Sequence, residues 1–379
     1  MRAASSKKVA VTMCVSTLEF GGVGTVVYAL ATGLDPSRYA VRVFSLGRDY
    51  GAGEQYRAAG IPVFAAQSSG RLGLLLGVFR LWRFLRREGI ALIHTHPGSG
   101  SRIAAFLARV PVVVATYHGS WDHWIGPAER LLRRVLDRRA SAVVANSCFT
   151  RDRVNADLRH PPHRVRVIYN GVNPRQLRPP SPHERDAARA SLALQPRDVV
   201  VVTVARLYPD KGVADLLSAL ALARSEAVSL RLLVVGDGPE RGPLLLQSAS
   251  LGLEPVVRFL GLRADILQIL RAADVFVLAS RTREGFGIAL AEAMAMALPV
   301  IGTRIEGIPE LVEAGRAGLL VPPRNPVALK NALVELARRP ERRRELGSRG
   351  RAVVEERFDV RRMVAAYAAL YEELLSASQ

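Results

Sequence analysis

Residues 274–294 read Asp-Val-Phe-Val-Leu-Ala-Ser-Arg-Thr-Arg-Glu-Gly-Phe-Gly-Ile-Ala-Leu-Ala-Glu-Ala-Met, and this stretch decides the fold. The apolar run 274–279 predicts a buried strand. Gly285 and Gly287 form a Gly-x-Gly turn, after which strong helix formers follow. In a strand, glycine turn and helix start of this kind, free backbone N–H groups and the positive end of the helix dipole point the same way. The stretch therefore predicts an α/β unit that receives anionic groups.

Two carboxylates, Glu284 and Glu292, stand eight residues apart across this turn. A helix that begins near Gly287 places Glu292 about five residues on, roughly 7 Å along the axis at ~1.5 Å per residue, while Glu284 stays in the loop. The two acids could then hold opposite ends of an elongated ligand with phosphate between them, which is the shape of a nucleotide sugar. Alternatively, the spacing arises by chance and Glu292 is a solvated helix residue. The neighbouring motifs decide between these readings.

Length and composition indicate an ordinary globular protein of two domains. The chain has 379 residues, of which 49% are apolar and 23% charged, so extended disorder is not expected. Its two cysteines, Cys14 and Cys148, lie in apolar surroundings and have no partner at zinc-ligand spacing. They favour a reducing compartment without a disulfide framework, and hence a cytoplasmic protein.

The formal net charge of +19 favours anionic partners: nucleic acid, anionic lipid or phosphorylated substrates. Alternatively, the positive charge has no functional partner and reflects a compositional bias towards arginine on solvated helices. Nucleic-acid binding is disfavoured because aromatic residues make up only 6% of the chain and no recognised module is present. We therefore predict no nucleic-acid partner.

The start of the chain and one basic helix bear on membranes. No run of 18 uncharged apolar residues exists, so no spanning helix is expected. The basic start Met1–Lys8 precedes an apolar run, but a first core strand is favoured over a signal peptide. Arg71–Arg87 carries an apolar stripe beside arginines, which fits either an interfacial helix on anionic lipid or an ordinary helix covering a sheet. We favour the sheet-covering helix for the stripe, and allow peripheral contact of the basic rim with the inner face of the membrane.

Short strands and helices alternate along most of the chain, which predicts two doubly wound parallel sheets of the Rossmann-like α/β class, with a cleft between them that would bind a small ligand. A Pro-rich stretch without periodicity separates the two halves. The predicted parts are an N-terminal domain 1–173, a linker 174–190, a C-terminal domain 191–356 and a final helix 357–379.

Further groups that could do chemistry follow predicted strands. Arg206 and Lys211 lie in the loop after strand 199–204, where the alternatives are phosphate binding and solvated loop cations. His118 follows strand 112–116 beside a glycine, where it could face a cleft, although a lone histidine is more often structural. Gly307 lies in a turn where it could allow close approach of a ligand.

Other motifs are weak or missing. The loop Gly21-Gly22-Val23-Gly24 joins a strand to a helix but lacks the third glycine of the dinucleotide fingerprint. No Asp-x-Asp occurs anywhere, so the commonest sequence signal of a divalent metal on a diphosphate is missing, and we predict no metal and no cofactor.

Taken together and in order, these motifs resemble those of the large family of retaining GT-B glycosyltransferases with the E-x7-E motif (family 4, glycosyl transferases group 1). The resemblance covers nearly the whole chain. The matching positions are Glu284 and Glu292 of the E-x7-E motif, Arg206 and Lys211 of R-L-x-x-x-K-G, the loop glycines Gly21 and Gly22, the pair His118-Gly119, and Asn170-Gly171-Val172 before the linker.

The resemblance implies a role for each position. Arg206 and Lys211 would hold the donor diphosphate, Glu292 the ribose hydroxyls, and Glu284 with the Gly285-Phe286-Gly287 backbone the transferred sugar and phosphate. His118 would contact the sugar near the reacting carbon, Gly21 and Gly22 would line the donor site, and the last helix would cross back to the first domain. Catalysis would rest on His118, Glu284, Arg206 and Lys211.

The resemblance also implies a reaction: transfer of sugar from a donor linked to UDP or GDP to a glycan or lipid-linked acceptor, in the synthesis of cell-surface polysaccharide or glycolipid. Retention would come from front-face attack, in which the leaving phosphate helps to deprotonate the acceptor. Gly24 and Glu306 depart from the family pattern, which leaves the acceptor open. A nucleotide-sugar epimerase of the same fold is the alternative, and product analysis with and without acceptor separates the two.

Overall fold

The structure is a computed structural model that describes residues 8–19, 21–68, 70–96, 98–119, 126–226 and 228–378. The basic start of the chain therefore lies outside the described residues, apart from Lys8. The chain divides into two compact units. One runs to Asn170 and also includes the residues from Val360 onwards, and the other is Gly171–Asp359.

The first unit is built on a seven-stranded parallel sheet with the strand order β3-β2-β1-β4-β5-β6-β7. Its central strands are apolar throughout because both faces of such a sheet are covered by helices. All four residues of β4 and all six of β5 are buried. The strands are β1 (Val9–Val15), β2 (Tyr39–Ser45), β3 (Val63–Ala65), β4 (Leu92–Thr95), β5 (Val112–Tyr117), β6 (Ala142–Ala145) and β7 (Val165–Val167).

Helices connect these strands, and the last helix of the chain joins them. Gly33 at the end of α1 lies so close to this last helix that an added Cβ would be 2.7 Å from Val364 Cγ2. The helices of this unit are α1 (Gly22–Gly33), α2 (Gly53–Ala58), α3 (Gly70–Glu88), α4 (Ser99–Ala108), α5 (Pro127–Arg139), α6 (Cys148–Leu158) and α15 (Val360–Ser376).

The second unit repeats the plan with a six-stranded parallel sheet of order β10-β9-β8-β11-β12-β13. Its strands are β8 (Val199–Val204), β9 (Leu230–Val235), β10 (Val257–Gly261), β11 (Val275–Leu278), β12 (Val300–Thr303) and β13 (Leu319–Val321). Its helices are α7 (Pro182–Ser191), α8 (Val213–Ala223), α9 (Arg241–Ser250), α10 (Ile266–Ala272), α11 (Ile288–Ala295), α12 (Ile308–Leu311), α13 (Pro326–Arg338) and α14 (Pro340–Arg357). The prediction of two parallel-sheet α/β domains is confirmed.

The segment 174–190, which we predicted to be a linker, contains most of α7. Ser181 caps this helix in a capping box, since its hydroxyl accepts from the Glu184 N–H and the Glu184 carboxylate accepts from the Ser181 N–H. Arg185 and Arg189 of α7 then donate to the carboxylate of Asp274, at 2.6 and 3.1 Å. The prolines around Ser181 hide a helix start, because proline is well tolerated in the first turn of a helix.

Helix α3 is amphipathic, but only part of its apolar surface covers the sheet. Leu81 and Leu85 are buried in the core. The leucines and phenylalanine of its N-terminal half are exposed: Leu72, Leu74, Leu75, Leu76 and Phe79. The favoured reading of the stripe as a sheet-covering face is therefore wrong for that half. Among the helices within the described ranges, none has both the length and the apolar character that crossing a bilayer requires.

Candidate active site

Two of the predicted phosphate and sugar residues, Lys211 and Glu284, meet where the strand order of the second sheet reverses. β8 and β11 are neighbours, yet the chain continues from β8 to β9 on one side and from β11 to β12 on the other. Loops that leave neighbouring strands at such a point diverge and open a crevice, where ligands bind in open α/β sheets. Lys211 lies in the loop after β8 and Glu284 in the loop after β11.

Lys211 and Glu284 form an ion pair through Nζ and Oε1, and each side chain is only 14% exposed. The Ser280 hydroxyl donates to the same carboxylate oxygen at 3.3 Å. Removing either partner would leave a charge with little access to water and without its counter-ion. The pair therefore holds both side chains in place. The structure thus brings together two of the four residues predicted to be catalytic.

The two loops are bound tightly to one another. Lys211 ends a single 3₁₀ turn, after which Gly212 has a φ of +65° and is the N-cap residue of α8. A Cβ on Gly212 would lie 2.0 Å from the carbonyl oxygen of Ala279. The Arg281 guanidinium makes two bonds of 2.7 Å to the carboxylate of Asp215. These contacts fix the position of Lys211 relative to the loop that follows β11.

Arg206 stands apart from this pair. Its side chain is exposed, and its guanidinium carbon lies 5.3 Å from the ring centroid of Tyr208. Within the described ranges it has no carboxylate partner. A guanidinium that rests on an aromatic ring and has no anionic neighbour retains its charge and its five donors for an incoming anion.

The glycine turn between the two acids is closely packed. Gly287 has a φ of +87° and precedes the first residue of α11. The Gly307 N–H donates to the Glu284 carbonyl at 3.1 Å, and a Cβ on Gly307 would lie 2.1 Å from the Gly285 carbonyl oxygen. Gly307 thus accommodates the backbone of the turn, rather than offering the space for a ligand that the sequence suggested.

Phe286, predicted to be a donor-binding residue, points into the protein. Its side chain is 3% exposed and packs edge-on against Phe358, with ring centroids 5.3 Å apart. A ligand at this turn would meet the backbone of Phe286 and not its ring.

Glu292 lies five residues beyond Gly287, on the fifth position of α11. The side chain is half-buried and, within the described residues, has no ion pair or hydrogen bond. Desolvation raises the pKa of its carboxyl to about 7. A desolvated carboxylate without a partner has its full hydrogen-bonding capacity available for a ligand that carries hydroxyl groups.

This raised pKa predicts a pH-dependent stability. The folded state binds the Glu292 proton more tightly than the unfolded state, so the free energy of unfolding should fall as the pH rises from about 4.5 to about 7. At ~1.4 kcal/mol per pKa unit the loss is about 3 kcal/mol. Glu292→Gln should remove this dependence and melt several degrees higher than wild type at pH 8. The exposed Glu254→Gln is the matched control, and a Glu292→Gln profile parallel to wild type would contradict the assignment.

In the first unit, Gly21 and Gly22 lie at the N-terminus of α1 and are exposed. The Thr25 N–H donates to the Gly21 carbonyl at 2.9 Å, and a Cβ on Gly21 would meet nothing within 4 Å. By contrast, a Cβ on Gly24 would lie 2.8 Å from the Glu19 carbonyl. The same loop includes Phe20, which lies outside the described residues. Gly24 is therefore required for packing, while Gly21 leaves open space at the helix start.

His118 follows β5 and contacts a second histidine that the sequence analysis did not single out. The Nε2 atom of His118 lies 2.8 Å from Nδ1 of His96, which follows the neighbouring strand β4. The two rings stack with centroids 5.1 Å apart. Burial lowers the pKa of His118 to about 4, so this histidine is neutral at physiological pH. The pattern His94-Thr95-His96 at the end of a predicted strand could have identified His96 as a site residue from the sequence.

No metal site is found in the ranges that the structure describes, since no three His, Cys, Asp or Glu side chains are suitably grouped. The site in the second unit instead combines two cations, one desolvated carboxylate and the glycine turn. Such a set can bind a diphosphate at the cations and hydroxyl groups at the carboxylates.

Two family models match the chain. The model described as Glycosyl transferases group 1 matches residues 184–353, and Glycosyltransferase Family 4 matches residues 20–176. The chain is 34% identical over 308 residues to the D-inositol 3-phosphate glycosyltransferase of Saccharomonospora viridis, covering 78% of this chain and 68% of that protein. It is 28% identical to the N-acetyl-alpha-D-glucosaminyl L-malate synthase of Bacillus anthracis, covering 76% of each.

Solved structures are similar over the full chain. The crystal structure of Anabaena HepE in complex with UDP and glucose matches with a TM-score of 0.84 and 27% identity, and covers 96% of this chain and 100% of that one. A further structure of HepE contains UDP-glucose, at a TM-score of 0.81 and 26% identity.

Proposed function

Because this chain belongs to the group 1 glycosyl transferases and is a glycosyltransferase of the GT-B fold, we propose that it moves a sugar from a nucleotide-diphosphate sugar to a glycan or lipid-linked acceptor, with retention of configuration. The observation that carries the proposal is the arrangement at the switch point of the second sheet. There, Lys211 and Glu284 are paired and Glu292 is desolvated without a partner. The predicted family and enzyme class are confirmed, while the donor, acceptor and stereochemistry form the proposal.

The donor that we favour is UDP-linked. HepE, which is 27% identical to this chain, has been crystallised with UDP and with UDP-glucose. A GDP-linked donor is the second candidate. One relative at 31% identity is named as a GDP-mannose-dependent mannosyltransferase, although the match covers only 64% of this chain.

In the proposed reaction the donor diphosphate lies between Arg206 and Lys211. Its charge draws the Lys211 ammonium away from its exclusive contact with Glu284, which frees that carboxylate to accept hydrogen bonds from the transferred sugar. The bond from the anomeric carbon to the phosphate oxygen breaks as the bond to the acceptor oxygen forms on the same face. The acceptor proton passes to the leaving phosphate. Arg206, Lys211 and the start of α11 stabilise the negative charge that develops there.

The remaining residues bind without taking part in bond exchange. Glu292 would accept hydrogen bonds from the ribose hydroxyls, and the Gly285–Gly287 backbone would meet the phosphate and sugar. His118 would contact a hydroxyl of the transferred sugar, and Gly21 with Gly22 would complete the donor contacts from the first unit. We place the reaction in the cytoplasm, in the synthesis of cell-surface polysaccharide or glycolipid.

A thermal-shift series with UDP-glucose, GDP-mannose and ADP-glucose tests the donor proposal. The true donor class should raise the melting temperature. A ligand that binds only the folded state, at a concentration of a hundred times its Kd, stabilises that state by about 2.7 kcal/mol. Glu292→Ala should lower the affinity for that donor about tenfold or more, since the ribose hydroxyls lose their hydrogen-bond acceptor. Glu254→Ala, at an exposed site of the same unit, should not. Equal donor affinity in Glu292→Ala and wild type would contradict the ribose assignment.

An anionic membrane surface is the partner that we propose for the exposed half of α3. Leu72, Leu75, Leu76 and Phe79 lie at helical spacing on one face and are all more than half exposed. Three exposed arginines of the same helix, Arg83, Arg86 and Arg87, have no carboxylate partner among the described residues. Apolar side chains next to unneutralised cations fit the interface of anionic lipid, where each basic residue contributes about 1 kcal/mol.

Vesicle sedimentation tests this surface. Wild type should sediment with vesicles that contain phosphatidylglycerol at low salt, and much less with phosphatidylcholine alone. The double variant Leu75→Glu, Phe79→Glu should reduce the bound fraction about tenfold, because it removes apolar area and reverses the local charge. Leu246→Glu, at a leucine of α9 that is 75% exposed, is the control. If the wild-type protein does not bind anionic vesicles at low salt, the proposal that this surface binds a membrane is wrong.

A further inference from the structure

The first unit holds three neighbouring histidines, His94, His96 and His118, that differ in how their nitrogens are used. Both nitrogens of His94 have partners: Nδ1 lies 2.6 Å from the Tyr371 hydroxyl and Nε2 lies 2.6 Å from Thr116 Oγ1. His94 is therefore satisfied within the fold.

His96 and His118 each use one nitrogen and leave the other without a partner. The inner atoms, His96 Nδ1 and His118 Nε2, bond to each other at 2.8 Å. The outer atoms, His96 Nε2 and His118 Nδ1, are buried and have no hydrogen-bond partner in the described chain. His96 is only 2% exposed. Buried polar atoms without a partner are rare in folded proteins and call for an explanation.

The bond between the two rings links their tautomers. Both imidazoles are neutral at physiological pH, since burial lowers the pKa of His96 and of His118 well below the usual value. Each ring then carries one proton, and the shared bond contains one of the two. If His96 donates, His118 Nδ1 carries a proton and His96 Nε2 is bare. If His118 donates, His118 Nδ1 is bare and His96 Nε2 carries the proton. The outer atoms therefore always offer one donor and one acceptor.

We infer that His96 is a positioning residue that fixes the ring orientation of His118 and couples the tautomer of His118 to its own, and that His118 meets its ligand through Nδ1. This inference rests on the proposed function for the identity of that ligand, an uncharged hydroxyl of the transferred sugar. The neutral state of His118 supports a hydroxyl over a phosphate, because an uncharged ring offers no Coulombic attraction to an anion. The position of His96 supports it as well: β1 and β4 flank the reversal of strand order in the first sheet, and His96 directly follows β4.

His96→Phe keeps a ring against His118 and removes the bond at Nδ1. In protein labelled with ¹⁵N-histidine, wild type should show His96 and His118 in the same neutral tautomer, and His96→Phe should change the tautomer populations of His118. His96→Asn places an amide near the former Nδ1 and should restore the wild-type populations. Tyr371→Phe, which removes a hydroxyl partner of His94 instead, should lower the melting temperature without changing the His118 signals.

Release of nucleoside diphosphate from UDP-glucose and GDP-mannose gives the second readout. His96→Phe should lower kcat about tenfold with little change in KM, and His96→Asn should recover most of the loss. An unchanged His118 tautomer in His96→Phe overturns the inference. If the wild-type enzyme is active, a His96→Phe variant with the same turnover overturns it as well. If wild type neither binds nor turns over either nucleotide sugar, the proposed function fails, while the tautomer measurement still decides the role of His96.

Discussion

Lys211→Met is expected to lower the turnover of the donor by about 10²–10³-fold, the effect of removing one preorganised group that stabilises developing negative charge. Lys211 is the cation that the structure holds against the predicted sugar-binding residue Glu284, in the loops that follow β8 and β11. Without it the departing diphosphate loses a point charge, and Glu284 becomes an unpaired, largely buried carboxylate. Both changes oppose binding of an anionic leaving group.

The measurement is the release of nucleoside diphosphate, with melting temperature recorded to confirm that the variant is folded. Lys330→Met is the matched control, because Lys330 also pairs with a glutamate of the second unit, Glu226, at 3.0 Å. We expect full turnover from Lys330→Met. A loss in Lys211→Met that is no larger than the loss in Lys330→Met would contradict the assignment.

Gly307→Ala is expected to disrupt the glycine turn between the two acids, although the change adds a single methyl group. The φ of Gly307 is −80°, so alanine meets no backbone strain there. The new Cβ would instead lie 2.1 Å from the Gly285 carbonyl oxygen, and the 284–287 turn would have to move. We expect a loss of stability of about 1–3 kcal/mol, as for overpacking, and a fall in donor affinity of tenfold or more.

Gly242→Ala separates this effect from a general response to glycine replacement. Gly242 lies inside α9, and a Cβ there meets nothing within 4 Å. Alanine should therefore be neutral or stabilising by up to about 1 kcal/mol. Donor titration of the two variants by calorimetry gives the comparison, and a Gly307→Ala protein that binds donor as wild type does would show that the turn tolerates displacement.

The elements of the second unit could be predicted well from the sequence because their signals are local. The apolar run before Glu284 and the glycine turn after it fix β11 and the start of α11 within two residues. The spacing also placed Glu292 on the helix. The helix α7 was missed because its capping residue lies among prolines, which are read more readily as loop than as first helical turn.

What the sequence could not supply depends on contacts between distant positions. The partner of Lys211 is 73 residues away, and that of His118 is 22 residues away, directly after a neighbouring strand. The exposure of Leu75 and Phe79 likewise depends on tertiary contacts, since Leu81 on the same helix is buried. Periodicity identifies an apolar stripe, but it does not say how much of the stripe a neighbour covers.

The path of the chain has a consequence for synthesis. The second unit, Gly171–Asp359, is inserted into the first, whose last helix is α15. Tyr367 and Tyr371 of α15 are buried, and their hydroxyls reach Thr116 and His94. A nascent chain that has reached Asp359 can therefore complete the second unit first. The first unit, although its strands are translated earlier, must wait for α15 to leave the ribosome before its core can close.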